Sequence, residues 1–99
     1  MFVVISRFVV RNNMEREVRE AFVRRPRLVE QAPGFVRMEV LCPQEREEEF
    51  WLVTWWTDEA SYEAWHGSSA HKESHKGMPR GLKLVPGAQE IMRFVRVAE

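Results

Sequence analysis

Phe50-Trp51-Leu52-Val53-Thr54-Trp55-Trp56 is the stretch whose reading decides the fold. It is rich in aromatic and β-branched residues and holds no turn former, so it reads as a strand. Successive side chains of a strand face opposite ways. Phe50, Leu52 and Trp56 therefore share one face, and Trp51, Val53 and Trp55 share the other. Both faces are apolar, so a sheet containing this strand needs cover on both sides. Phe35 to Leu41 read as a strand before it, and the polar stretch Pro43 to Glu49 reads as the loop of a hairpin. Within that loop, the run Glu45-Arg46-Glu47-Glu48-Glu49 is expected to be solvated. The N-terminal stretch Phe2 to Val10 repeats the two-sided pattern, with Phe2, Val4, Phe8 and Val10 against Val3, Ile5 and Val9. Gln89 to Val97 close the chain as a fourth strand.

Two helical segments separate these strands. Met14, Val18, Ala21 and Phe22 recur at helical spacing and predict a helix from about Met14 to Arg25. Asn12, three residues before Glu15, reads as its cap. Pro26 disfavours helical backbone at Arg25 and ends it. Asp58 is placed to cap a helix from Glu59 to His66, Gly67 breaks it, and Ser68 caps a further turn or two through Lys76. Pro33-Gly34 and Pro86-Gly87 are turns, and residues 77–81 form an irregular loop.

The order β-α-β-β-α-β predicts an α+β, ferredoxin-like antiparallel sheet with helices on one face, as one domain over residues 1–99. Helices exist for only one of two apolar faces. An uncovered face would exceed the apolar patch of about 300–600 Å² typical of a monomer. The simplest cover is the same face of a second copy, which predicts a homodimer.

Composition narrows the function classes. The 15 basic and 15 acidic residues give a net charge of zero, so no overall field draws in nucleic acid or an anionic membrane. No apolar run is long enough to span a bilayer, and the N-terminal stretch does not read as a signal peptide, so a cytoplasmic location is expected. The single cysteine, Cys42, excludes an intramolecular disulfide and reads as a strand-end thiol rather than a nucleophile.

The opening strand, Ala32-Pro33-Gly34-Phe35, Trp56-Thr57-Asp58, and the stretch from Ala64-Trp65 through Ser68-Ser69 to His75-Lys76 follow one another in order over nearly the whole chain. In this the sequence resembles the antibiotic-biosynthesis monooxygenase family, dimeric α+β barrels, and within it the small haem-degrading monooxygenases. The resemblance implies three pocket residues. A histidine that ligates the haem iron matches His75, and a tryptophan that presses on the porphyrin and ruffles it matches Trp65. The asparagine that hydrogen-bonds the iron-bound ligand falls on Ser6, with Arg7 after it where the family often has arginine. Serine keeps a hydroxyl donor but is shorter and lacks the amide's paired donor and acceptor. The resemblance thus implies haem binding more directly than turnover. A pocket is expected between the histidine segment and the sheet, lined by Ser6, Phe8, Trp65 and His75, with Arg80 and Lys83 placed to meet haem propionates or simply to be surface charges.

Each residue also has a plainer reading. A lone histidine on a short helix is usually a polar surface residue, and Trp65 with Tyr62 can simply be core. Ser6 can be a small packing residue. His71, four residues before His75, allows a two-histidine metal pair, but Lys72 stands where a metalloprotease pattern needs glutamate and no third ligand is apparent. His66 neighbours Trp65 and is an alternative ligand to His75. Three functions stay open: oxidative haem degradation, a cofactor-independent monooxygenase acting on a small aromatic or quinone-like substrate, and a non-enzymatic haem or small-molecule binder.

Overall fold

The computed structural model describes residues 1–99. Its elements are β1 (Phe2–Val9), α1 (Glu15–Val23), a 3-10 turn (Val29–Gln31), β2 (Phe35–Leu41), β3 (Glu49–Trp56), α2 (Glu59–His66), α3 (Ser69–Ser74), a second 3-10 turn (His75–Gly77) and β4 (Glu90–Val95). The four strands form one antiparallel sheet in the order β2-β3-β1-β4, the ferredoxin-like arrangement.

Register confirms the two-faced reading. Val3 pairs with Trp55 and Phe94, and Ile5 pairs with Val53 and Met92, so these side chains share a face. Phe2, Val4, Trp56, Tyr62 and Val29 form one buried cluster on the opposite, helix-bearing face. Val10, Val18 and Phe50 form a second, with Phe8, Phe22 and Leu84 packed against it. Val18 and Trp56 are wholly buried. Each such side chain contributes roughly 1.5–3 kcal/mol on leaving water, and this burial, not helix propensity, holds the short α1 in place.

The helix ends follow local chemistry. Asp58 accepts the Ser61 N–H at 2.8 Å and Ser68 accepts the His71 N–H at 3.1 Å, as their positions predict. Asn12 does not cap α1. Met14 stands at the cap position with no side-chain bond, and the Asn12 amide turns instead to the distant loop, donating to the Gly81 carbonyl at 2.7 Å and accepting the Lys83 N–H at 3.2 Å. Two bonds to that loop satisfy the amide more fully than one helix end would.

Glu49 also departs from expectation. It opens β3 and is buried, not solvated with the rest of the acidic run. Arg7 donates to both of its oxygens, at 3.0 and 3.2 Å, and the Trp51 indole N–H donates at 2.6 Å. These hydrogen bonds, Arg7 first and Trp51 second, hold the Glu49 carboxyl below the usual carboxylate range. Arg7 also reaches the Ala88 carbonyl at 3.1 Å, so one guanidinium ties β3, β1 and the lead-in to β4.

Candidate active site

A cavity of about 650 Å³ lies between the helix-bearing face of the sheet and the segments that cross it. That volume falls within the range of small-molecule sites, about 300–1,000 Å³. Fourteen of its 26 lining residues are hydrophobic.

Alternation along β1 sends Ser6 and Phe8 to this side. Ser6 stands in register between Leu52 of β3 and Ile91 of β4, both of which also line the cavity. Phe8 stacks on Phe50 with ring centres 5.4 Å apart. From above, α2 supplies Trp65, half-buried against the core, α3 supplies His71, and the 3-10 turn that follows it supplies His75. Ser6, Phe8, Trp65 and His75 thus line one cavity, as the sequence predicts. Arg80 and Lys83 are exposed and are not among its lining residues.

Three histidines form a column along the wall. The His66 ring stacks near Tyr62, with the hydroxyl 3.4 Å from Nδ1. His71 lies 4.8 Å from His66 and 4.5 Å from His75, centre to centre, and meets Trp65 edge-on at 5.7 Å. Nε2 of His75 and Nε2 of His71 are 3.1 Å apart, so one imidazole donates and the other accepts. Burial, and then the neighbouring charges of His75 and His66, lower the His71 pKa from its ordinary value. The shift favours the neutral form of the His71 imidazole.

Sequence reasoning missed two parts of the site. Residues 78–84 close one end, with Met78, Leu82 and Leu84 in the lining, and Asn12 pins that loop. Backbone bonds from Arg11 N–H to the Lys83 carbonyl and from Val85 N–H to the Val9 carbonyl, both 2.8 Å, extend β1 into the same floor. At the other end, Arg25 and Arg27 line the cavity. Arg25 is clamped by Glu30 at 2.6 and 2.9 Å, whereas Arg27 is exposed, 3.6 Å from Glu30, with a left-handed backbone (φ 55°). The alternation of β1 marks Ser6 and Phe8 in advance. Nothing local to Arg27 marks a backbone conformation that long side chains rarely adopt.

An apolar cavity of this size, roofed by short helices over an antiparallel sheet and walled by three histidines, defines an α+β protein built to enclose a small molecule. The chain belongs to the antibiotic biosynthesis monooxygenase family, whose model matches residues 1–77. A staphylobilin-producing heme oxygenase of Staphylococcus haemolyticus is 32% identical over 78 residues, spanning 77% of this chain and 74% of that protein. A mycobilin-producing heme oxygenase of Mycobacterium tuberculosis is 33% identical over 54% of this chain and 51% of its own length. Among solved structures, the heme-degrader MhuD from Mycobacterium tuberculosis, with two hemes bound in its active site, superposes with a TM-score of 0.79 at 25% identity, covering 100% of this chain and 98% of that one. SnoaB, a cofactor-independent oxygenase from Streptomyces nogalater, shares the fold with a TM-score of 0.78 at 19% identity, over 99% and 94% of the two chains.

Proposed function

We propose that this protein binds haem in the cavity and degrades it oxidatively, with haem as substrate and His75 as the iron ligand. The observation that carries the proposal is the convergence of Ser6, Phe8, Trp65 and His75 on one apolar cavity of about 650 Å³. A flat, largely apolar macrocycle suits such a lining, and a neutral imidazole is a standard axial ligand. The kinship to heme oxygenases supports the same reading.

Haem itself supplies the oxygen chemistry. The chain's own residues bind, orient and keep out water. Trp65 would bear on the macrocycle from the α2 side. Ser6 offers a hydroxyl from the sheet, a shorter donor than an amide, and would give the oxygen step only weak help. Arg27, exposed at the cavity's edge, is better placed than Arg80 to meet propionate carboxylates. The unit of action is one domain over residues 1–99, paired as a homodimer through the helix-free face of the sheet. A cytoplasmic location fits the free thiol of Cys42, and no helix is long and apolar enough to cross a membrane.

Titration with hemin tests the proposal. The parent should give a shifted Soret band, and His75→Ala should abolish it, while His66→Ala and His71→Ala keep it. If His75→Ala binds hemin as the parent does, the ligand assignment fails. With reductant and oxygen, Ser6→Asn should speed haem loss. Hemin bound but never consumed by either protein makes the chain a carrier. No hemin binding at all moves the cofactor-independent reading ahead.

A further inference from the structure

The Nε2 atoms of His71 and His75 stand 3.1 Å apart on one wall of the cavity. Two nitrogens bound to one tetrahedral zinc ion at about 2.05 Å lie about 3.3 Å from each other. The pair therefore already holds its nitrogens within a few tenths of an ångström of a chelating separation, and the donating ring has only to carry its proton on Nδ1 instead of Nε2 for both to face an ion. The local fold fixes this. Ser68 caps α3 through the His71 N–H at 3.1 Å, Ser74 Oγ bonds the His71 carbonyl at 2.6 Å, and the four-residue spacing puts both rings on one side of the turn. His71 is half-buried and His75 exposed, so solvent can reach a bound ion.

The geometry points to a two-imidazole site for a divalent transition-metal ion of the zinc, nickel or copper type, formed by His71 and His75 and completed by water. Imidazole suits these ions, and copper should bind most tightly of the three. No cluster of three histidine, cysteine or acidic side chains is present, so the site is open, not a closed structural centre. His66 stays outside it: no three such side chains come together to hold one ion, and the His66 ring is turned with Nδ1 toward the Tyr62 hydroxyl. The ion uses a ring nitrogen of His75. On the haem reading above, which this consequence alone rests upon, metal and haem iron compete for the same residue.

Tag-free protein titrated with zinc chloride by calorimetry should bind one ion per chain. His71→Ala and His75→Ala should each weaken binding by about 100-fold, the scale gained by joining two ligands, while His66→Ala leaves it unchanged. Ring-proton NMR of the parent should show the His71 and His75 signals moving together and furthest with zinc, with those of His66 shifting less. Absence of saturable binding below millimolar zinc, equal affinity in His71→Ala, or loss in His66→Ala overturns the site. One equivalent of zinc should also weaken hemin uptake by the parent and not by His71→Ala. Failure of the zinc titration leaves the haem reading intact, and failure of hemin to bind zinc-free protein leaves the metal site intact.

Discussion

At the scale of single residues, Gly34 is the most constrained. Its φ of 82° is left-handed, and a Cβ there would come within 2.1 Å of Ser61 Oγ and 2.8 Å of Thr57 Oγ1. Its carbonyl accepts the Thr57 N–H at 2.8 Å, so the backbone cannot move aside. Gly34→Ala should cost about 2–4 kcal/mol, from left-handed strain and overpacking together. Chemical denaturation checks this, and Ser61→Gly in the same chain should recover only the share of the packing cost that Ser61 causes, leaving the Thr57 contact and the left-handed strain. The sequence marks Pro33-Gly34 as a turn, but the close approach of α2 is a tertiary fact with no local signal. Glu49 is the reverse case. Five charged residues in a row look solvated, and only the strand register brings Arg7 and Trp51 to the last of them.

At the scale of elements, the capping serine and aspartate were legible because each acts within three residues of itself. Asn12 was not, because its partners lie about 70 residues on. Its side chain ties the β1 exit to the loop that floors the cavity. Asn12→Ala should cost about 1 kcal/mol, and hydrogen exchange should quicken at Leu82, Lys83 and Leu84 while α2 is unchanged. The same elements set the response to acid. Glu49 is held by Arg7 and Trp51, Glu30 by Arg25, and Asp58 by the Ser61 backbone and side chain, and each carboxyl lies below its ordinary range. Their stabilisation is complete above the unfolded values, about 4, and is lost as pH falls through the lower folded values. Thermal stability should therefore weaken gently as pH falls from neutrality, because His71 takes up a proton more readily in the unfolded chain, and fall steeply below about pH 4 as the three carboxyls are protonated. Glu49→Gln should start less stable and show a shallower acid limb. An equally steep limb would remove Glu49 from this account.

For the whole molecule, the fold and the cavity could be read from alternation and element order, whereas the cover on the helix-free face could only be argued from need. That face carries Val3, Ile5, Trp51, Val53, Trp55 and Met92 together with the Arg7–Glu49 pair, Arg37 and Glu39, and Phe94 is still 45% and Leu41 49% exposed. Light scattering at micromolar concentration should give a dimer mass. Phe94→Asp should give a folded monomer, since position 94 lies beside Val3 in the register and a carboxylate buried there without a cation is costly. Val53→Glu is harsher, because Val53 is buried even within one chain, and should dissociate or unfold the protein. A monomeric parent would end the homodimer proposal.

Trp56 has no solvent exposure and donates its indole N–H to Thr54 Oγ1 at 2.9 Å, whereas Trp65 is half-buried on the cavity wall and Trp51 and Trp55 lie half-buried on the helix-free face. The four indoles thus divide into three optical populations. Acrylamide should reach Trp65 until a ligand that does not itself quench indole emission shields it, and should reach Trp51 and Trp55 only in a dissociated variant such as Phe94→Asp. It should leave the emission of Trp56 unquenched until the core itself opens. One cuvette can then separate occupancy, association and unfolding without any added label.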